Sequence, residues 1–269
     1  MKTKTGKNIL TEPAILQDTW EPGITRITLN RPTQYNALSE SLLSELSTVL
    51  RQISSNTSIK VVILRGEGPS FCAGHDLKEM RKSPEESYYR ALFKQCSEVM
   101  LSMVSLPQPI IAEVSGTATA AGCQLVGTAD LAIASTESTF AVSGINLGLF
   151  CSAPSVALSR NLSRKHAFKM LMTGCFIDAQ TAVEFGLINE AVPPAQLEST
   201  VRSLAQDIAS KPTNSIRTGK ALFYKQLEQN LIDAYEHAGE VMASNMMFRD
   251  TQEGIDAFIE KRTPDWKAN

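Results

Sequence analysis

The chain has 269 residues, of which 43% are apolar and 20% charged, a composition that supports a sizeable core and excludes a disordered or collagen-like chain. Its 26 basic and 28 acidic side chains give a net charge of −2, which argues against nucleic-acid and membrane-surface partners because both require clustered positive charge. No apolar run approaches the ~18 residues of a membrane span, and the amino terminus shows no signal- or transit-peptide pattern, so we expect a cytoplasmic protein.

Short apolar runs in the first two-thirds of the chain predict β-strands. Several of these runs are continuous rather than alternating, which is typical of strands covered on both faces by helices. The predicted strands span residues 24–29, 60–64, 109–114, 130–134, 139–142 and 187–192.

Helix starts between and after these strands are marked by capping residues. Ser39 precedes a stripe of leucines at helical spacing, and residues 83–86 (SPEE) form a capping box with proline at the first helical position. Asp178 is expected to cap a short helix that Gly186 ends, and Asp250 to cap the last helix. Strands that alternate with helices, followed by helices alone, predict an α/β protein with a C-terminal helical region.

The change in character near residue 195 divides the chain into two parts. Residues 1–195 are predicted to form the α/β core, and residues 196–269 a helical oligomerisation region. The second part is rich in methionine (Met242, Met246, Met247) and has more apolar residues than one buried face needs. It either packs on another subunit or forms ordinary intramolecular core.

Cysteines and histidines give no sign of a metal centre. The five cysteines are odd in number and form no C-x-x-C pair, which is typical of reduced thiols in a core. The three histidines lie far apart and lack zinc-ligand spacing, so we expect no metal site. His166 and His237 fall on predicted helices and are interpreted as ordinary surface or core residues.

Two loops rich in small residues follow predicted strands and open helices. The first, at residues 71–80, reads FCAGHDLKEM, and the second, at residues 116–125, reads GTATAAGCQL. Backbone N–H groups at such transitions point outward and can stabilise a developing oxyanion. Either loop alone is more typical of a tight turn, but together they supply the two amide donors that an oxyanion hole requires.

With these two loops, a series of motifs resembles the crotonase (enoyl-CoA hydratase/isomerase) superfamily in the same order through nearly the whole chain. Several spaced motifs in one order are far more specific than any one of them. The matching segments are residues 30–32 (NRP), 36–38 (NAL), 71–80, 116–124, 123–130 with Ala132 and Ala134, 144–148 (GINLG), 179–189, 253–258 (EGIDAF) and 261–262 (KR).

The resemblance implies a crotonase spiral of ββα units, with C-terminal helices that build a homotrimer or a hexamer made of two trimers. It implies an enzyme of fatty-acid metabolism with a coenzyme A thioester, acyl-CoA or enoyl-CoA, as substrate and no permanently bound cofactor. The amides of His75 and Ala121 match the family's oxyanion-hole positions. Residues that match the family's coenzyme A contacts are Ala37, Leu38, Ala73, Gly74, Asp76, Leu77, Phe258 and Lys261.

The chain departs from the family pattern at both hydratase glutamates. Family hydratases use two glutamates to move protons to and from a double bond. Gln124 stands at the first of these positions and Gly144 at the second. A carboxamide cannot take up a proton and glycine has no side chain, so hydration itself is in doubt.

Several residues near these two positions could take over the roles of the missing glutamates. Cys151 is a possible nucleophile, but an inert half-buried thiol is the preferred interpretation. His75 could act as a base, although a solvated or adenine-facing imidazole is favoured. Ser143 and Asn146 are interpreted as polar pocket liners, and Glu113 as a structural carboxylate within a strand.

The sequence therefore leaves three functions open. One is an enoyl-CoA hydratase/isomerase family enzyme, either a lyase or an isomerase. A second is another reaction of a coenzyme A thioester, such as decarboxylation, hydrolysis or isomerisation with a non-standard base. The third is a non-catalytic acyl-CoA-binding protein.

Overall fold

A computed structural model describes residues 13–266, and most of the amino-terminal stretch on which the targeting expectation rests lies outside this range. The strands are β1 (Ile15–Glu21), β2 (Ile24–Leu29), β3 (Val61–Gly66), β4 (Ser70–Cys72), β5 (Ile110–Val114), β6 (Thr117–Thr119), β7 (Leu131–Ser135), β8 (Thr139–Ala141), β9 (Ile177–Asp178) and β10 (Glu190–Val192). The helices are α1 (Glu40–Ser55), α2 (Leu77–Met80), α3 (Glu86–Ser105), α4 (Ala121–Thr128), α5 (Ser152–Asn161), α6 (Arg164–Thr173), α7 (Ala179–Phe185), α8 (Pro194–Ala209), α9 (Thr213–Leu227), α10 (Leu231–Met246) and α11 (Arg249–Glu260).

The strands form two sheets that are linked by a repeating unit. The larger sheet has the order β1-β2-β3-β5-β7-β10, and the smaller has the order β4-β6-β8-β9. Each of the pairs β3/β4, β5/β6 and β7/β8 places one strand in each sheet before the chain continues into helices. Along these repeats the strands within each sheet are parallel. The predicted spiral of ββα units is therefore confirmed.

Helices cover both faces of the larger sheet, which explains its continuous apolar strands. Val62 and Leu64 of β3 face the cluster built with α1 and α3, whereas Val61 and Ile63 face the cluster built with α8. Because successive side chains of a strand point to opposite faces, a strand covered on both sides is apolar at every position.

The predicted strands correspond to β2, β3, β5, β7, β8 and β10, with ends that differ by up to three residues. The structure adds β1, β4, β6 and β9. β1 is an edge strand with mostly exposed side chains, so its sequence has no apolar alternation. The other three strands have two or three residues each, too few to show a period.

Two of the predicted helix caps are confirmed and two are wrong. The Ser39 side chain accepts from the N–H of Leu42, and Asp178 caps α7, which ends at Gly186 with a φ of 82°. Ser83 caps nothing, because α3 begins only after Glu85, whose N–H is bonded to the Ser83 carbonyl. The last helix begins at Arg249, one residue before Asp250. The Phe248 carbonyl accepts hydrogen bonds from the N–H groups of Thr251 and Gln252 at its start.

The C-terminal helices differ in how they are buried. α8 packs Leu197, Val201 and Ala205 against the larger sheet, although it lies almost entirely within the predicted oligomerisation region. In contrast, α10 buries none of its residues in the single chain. The division at residue 195 stays a prediction. Among residues 13–266, none of the helices combines the length and apolarity that crossing a membrane requires.

Exposed apolar side chains are numerous on α9 to α11. A soluble monomer rarely presents so many together, and such surfaces mark interaction sites. The large exposed apolar residues of these helices are Phe223, Leu227, Leu231, Ile232, Tyr235, Met242, Met246, Ile255, Phe258 and Ile259.

Candidate active site

The two small-residue loops lie side by side at one end of the smaller sheet. β4 and β6 are parallel neighbours, with Cys72 opposite Ala118, so the loops that follow them leave in the same direction. Gly74 has a φ of 88°, and a Cβ placed there would lie 2.8 Å from the Ala120 Cβ and 3.1 Å from the Ala121 nitrogen. Glycine is needed because both the backbone conformation and the close approach exclude a side chain.

The amide of Ala121 lies at the start of α4, where helical N–H groups have no partner within the helix. The preceding residue, Ala120, has φ 51° and ψ −120°, an uncommon conformation for a residue with a side chain. Its N–H donates to the Ala141 carbonyl over 2.9 Å, which fixes the turn. Strained backbone of this kind is concentrated at functional sites.

The backbone N–H of His75 makes no hydrogen bond to Leu38, although the residues on either side of it do. Leu38 donates to the Gly74 carbonyl over 2.8 Å and accepts from the Asp76 N–H over 3.1 Å. In an extended segment neighbouring amides point in opposite directions, so the His75 N–H points away from Leu38. Within residues 13–266, no hydrogen bond uses the N–H of His75 or of Ala121.

The imidazole of His75 packs against Phe93 of α3, with the two rings edge to face and their centroids 5.4 Å apart. The solvated alternative is therefore wrong, because α3 packs on the ring, and the adenine-facing alternative stays a prediction. Burial lowers the pKa of His75 to about 4, with a weaker opposing effect from a backbone hydrogen bond at Leu38. The side chain is neutral at pH 7, and its buried Nδ1 has no partner among the described residues.

Gln124 occupies the buried face of the first turn of α4. Its side chain is 5% exposed, and its Oε1 has no hydrogen-bond partner within the described part of the chain. Its backbone is part of the helix, donating to the Ala120 carbonyl over 3.1 Å. The position of the first family glutamate is therefore a neutral, unpaired carboxamide.

Gly144 has no room for a larger side chain. A Cβ at this position would lie 2.6 Å from the Leu149 carbonyl oxygen and 2.8 Å from the Cys151 Sγ. Because the Leu149 atom is backbone, the loop itself would have to move to admit a glutamate. The thiol of Cys151 thus fills the space where a side chain at position 144 would begin.

Cys151 is buried at the start of α5. Burial raises the pKa of its thiol, an effect that a hydrogen bond with the Gly144 backbone only partly offsets. A thiol is a nucleophile only as thiolate, so the geometry favours an inert side chain. The preferred interpretation of Cys151 agrees with this burial.

Three further polar residues that the sequence singled out are Ser143 and Asn146, which lie near Gly144, and Glu113, which lies in the larger sheet. The Ser143 Oγ lies 3.0 Å from the Thr119 Oγ1, beside the second loop. Asn146 instead donates to the Gly174 carbonyl over 3.4 Å. Glu113 lies in β5 on the face covered by α8, 3.7 Å from the Arg65 guanidinium, and burial raises the pKa of its carboxyl. It is a structural carboxylate, as predicted.

Most of the residues assigned to coenzyme A lie in two adjacent segments, but Leu38 is fully buried and so is not free to contact a ligand with its side chain. Leu38 pairs with His75, and Arg31 joins this segment to the first loop, donating to the Ala37 carbonyl over 2.5 Å and to the Asp76 carboxylate over 3.0 Å. Burial opposes ionisation of Asp76, but hydrogen bonds from Arg31 and from backbone amides hold its pKa below the usual value. Leu77 is exposed beside it.

Phe258 and Lys261 are not brought to this surface within the single chain. Phe258 is 85% exposed on α11, and Lys261 follows the helix with a φ of 56°. No hydrogen bond or ion pair among residues 13–266 joins either side chain to the loops. The sequence alone does not identify Arg31 as the residue that connects the two segments, although Arg31 stands in the NRP motif.

Comparison with known proteins agrees with this architecture. The family model described as Enoyl-CoA hydratase/isomerase matches residues 19–269. The enoyl-CoA hydratase domain-containing protein 3, mitochondrial, of Rattus norvegicus is 46% identical over 255 residues, which cover 95% of this chain and 85% of the relative. Within the family, the motifs of this chain most resemble the domain-containing protein 3 group, and the identity of 46% confirms that resemblance.

Solved structures share the fold. An enoyl-CoA hydratase of Mycobacterium smegmatis has a TM-score of 0.94 at 50% identity, covering 95% of this chain and 99% of its own. Human enoyl-CoA hydratase domain-containing protein 3 has a TM-score of 0.91 at 43% identity, covering 94% of this chain and 100% of its own.

The expected location requires a correction. Relatives at 46% identity carry mitochondrial names, which point to mitochondria, so the cytoplasmic expectation is wrong. The expectation rested on the lack of a long apolar run and of a recognisable amino-terminal targeting pattern, and neither observation determines the compartment. The family assignment rests on independent evidence: the motifs, the spiral of ββα units and the comparisons all agree. The chain belongs to the enoyl-CoA hydratase/isomerase family and has the crotonase fold.

Proposed function

We propose that this chain binds an acyl- or enoyl-coenzyme A thioester and polarises its carbonyl with the amides of His75 and Ala121. The observation that supports this most is the close approach of the two loops, with Gly74 next to the Ala121 nitrogen and both amides unpaired. Two fixed N–H donors aimed at one oxygen stabilise the negative charge of an enolate. Because backbone atoms supply the donors, neither side chain has to match the family.

The coenzyme A moiety lies, in this proposal, along the partly exposed residues Ala73, Asp76 and Leu77, with residues 37–38 buried behind them. Asp76 fixes the conformation of this segment through its ion pair with Arg31 and by capping the amino terminus of α2. Phe258 and Lys261 act on the same ligand from a neighbouring copy of the chain, where the Lys261 ammonium meets a phosphate.

The exposed apolar surface of α9 to α11 supports assembly with further copies of the chain, and the family resemblance implies a homotrimer or hexamer. In the assembled state these helices bury their methionines and aromatics against another subunit. Light scattering at micromolar concentration is expected to give a trimer or hexamer, and a monomer would contradict the proposal.

The site lacks an efficient general acid or general base. Neither Gln124 nor Gly144 can move a proton, and His75 is a poor base because burial lowers its pKa to about 4. A general acid or base contributes about 10²–10⁴-fold to a rate, so hydration of crotonyl-CoA is expected to be slow by that factor or more. In this proposal the chain acts on a thioester of fatty-acid metabolism but hydrates it only slowly.

A second candidate is a non-catalytic acyl-CoA-binding protein. It is favoured by one observation, the packing of the Cys151 thiol into the space beside Gly144. Decarboxylation, hydrolysis or isomerisation of a thioester remains an alternative within the enzyme class, because each uses the same pair of amides.

Calorimetric titration with butyryl-CoA and a hydration assay with crotonyl-CoA distinguish these functions. Binding without turnover supports the binding protein, and binding with slow turnover supports the enzyme. If no coenzyme A ester binds to the folded protein, the proposed function is wrong. If the protein hydrates crotonyl-CoA at a rate ordinary for a hydratase, the assignment of the lost acid and base is wrong.

A further inference from the structure

A cavity of about 710 Å³ lies between the C-terminal end of α3 and the helix α9, and we call it the α3–α9 cavity. It is separate from the candidate active site, because Val104 at its edge lies roughly 16 Å along α3 from Phe93, which packs on the His75 ring. Its volume is typical of sites for small molecules. The proposed function assigns it no role.

A buried ion pair fixes α9 beside this cavity. The Lys220 ammonium donates to the Asp130 carboxylate over 2.7 Å. It also donates to the carbonyls of Met103 and Gln108 over 3.0 and 3.1 Å, so all three of its donors are used. The Tyr224 hydroxyl donates to the same carboxylate over 2.8 Å. The cavity is therefore preformed, and the charges of Lys220 and Asp130 are spent on each other.

Arg217 and Lys225 carry the remaining charge of the cavity. With Ala221 they are spaced four residues apart and share one face of α9, whereas Phe223 of the exposed apolar surface lies on the opposite face. Among residues 13–266, neither cation forms an ion pair and no carboxylate lines the cavity. The Arg217 Nη2 lies 3.5 Å from two backbone carbonyls, and its Nη1, which is not enclosed as Nε is, makes no hydrogen bond within the same range.

The walls of the cavity restrict what it can bind. A guanidinium and an ammonium without partners attract an anion, and a guanidinium matches the two oxygens of a carboxylate. Val104, Leu106 and Pro107 form an aliphatic wall opposite α9, which favours hydrocarbon. A fitting ligand therefore combines one anionic group with an aliphatic chain. Inorganic phosphate offers only the first of these properties, and an aliphatic alcohol only the second.

We propose that the α3–α9 cavity is a second binding site, which takes an aliphatic carboxylate. The carboxylate accepts from the Arg217 Nη1 and lies near the Lys225 ammonium, while the chain packs along Leu106 and Pro107. Binding here makes and breaks no covalent bond. The inference does not depend on the thioester site.

Calorimetric titration with octanoate, 1-octanol and inorganic phosphate tests this site. The wild-type protein is expected to bind octanoate at least about tenfold more tightly than either of the other two, as one charge-assisted hydrogen bond provides. Arg217→Gln should weaken octanoate binding about tenfold. Arg164→Gln, the same substitution at an exposed position of α6, should leave it unchanged. Ala221→Trp keeps both cations, fills the cavity and should abolish binding.

Thermal unfolding checks that each variant is folded. Absence of octanoate binding would overturn the inference, and so would equal binding of 1-octanol or an equal loss in Arg217→Gln and Arg164→Gln. Octanoate binding that persists in folded Ala221→Trp would overturn it as well. Repeating the titration with saturating butyryl-CoA should give the same affinity, whereas competition would place octanoate at the thioester site and overturn the inference. If butyryl-CoA itself does not bind, the proposed function fails, but the octanoate titration still decides this inference.

Discussion

Replacement of Gly74 by alanine tests whether the closeness of the two loops is what forms the site. Gly74 has a φ of 88°, and an alanine Cβ would lie 2.8 Å from the Ala120 Cβ and 3.1 Å from the Ala121 nitrogen. The left-handed conformation costs about 1–2 kcal/mol for a residue with a side chain. Overpacking against the second loop adds about 1–3 kcal/mol. The free energy of unfolding should therefore fall by about 2–5 kcal/mol, the sum of the two.

Gly23→Ala provides the matched control. Gly23 has a similar φ of 80°, but its Cβ would meet only the flexible Lys60 side chain, 3.4 Å away, at the turn that precedes β2. Only the conformational cost of about 1–2 kcal/mol applies there. The difference between the two variants isolates the contact between the loops.

Urea unfolding and calorimetric titration with butyryl-CoA measure the two consequences. Gly74→Ala is expected to bind at least about tenfold more weakly, because one amide donor moves out of hydrogen-bond reach of the thioester oxygen. Gly23→Ala is expected to bind like the wild-type protein. If Gly74→Ala binds the ester as tightly as Gly23→Ala does, the two amides do not act together on one oxygen.

Three further predictions concern titration, reactivity and charge. Burial lowers the pKa of His75 to about 4 in the folded protein, whereas in the unfolded chain it is about 6.5. Between these two pH values the unfolded chain binds a proton that the folded protein does not bind. The free energy of unfolding therefore falls as the pH drops from about 6.5 to about 4. His75→Gln should reduce this fall, which is measured by urea unfolding, and an unchanged fall would contradict the burial of the imidazole. Thiol labelling should modify the exposed Cys175 before the buried Cys151, and equal rates would restore Cys151 as a candidate nucleophile. Lys261→Ala should weaken binding of acyl-CoA more at low salt than at high salt, and a salt-independent effect would exclude a phosphate contact.

An attempt to restore the family's two glutamates would meet different obstacles at the two positions. Gln124→Glu changes one atom of a side chain that already lies in the first turn of α4. Gly144→Glu must displace the Leu149 carbonyl, because a Cβ at position 144 would lie 2.6 Å from that oxygen. The single change at position 124 therefore requires no movement of the backbone but buries a carboxyl group without a partner, whereas the change at position 144 requires the loop to be rebuilt.

The sequence by itself determined the strands covered on both faces, the α/β class and the family. Continuous apolar runs such as β3 and local caps such as Ser39 are properties of a few neighbouring residues, so they can be recognised without a fold. The caps at Ser83 and Asp250 were wrong, because α3 begins three residues after Ser83 and α11 begins one residue before Asp250. β1 could not be found, because an exposed edge strand has no apolar period.

Only the tertiary structure decided what the site residues do. The closeness of Gly74 to Ala121, the covering of His75 by Phe93 and the packing of Cys151 beside Gly144 each join residues from different elements. Such contacts depend on how β4 and β6 pair and on where the helices lie, which spacing along the chain does not encode. The same holds for the unpaired Oε1 of Gln124, since a carboxamide is orphaned only by the burial that the assembled fold imposes.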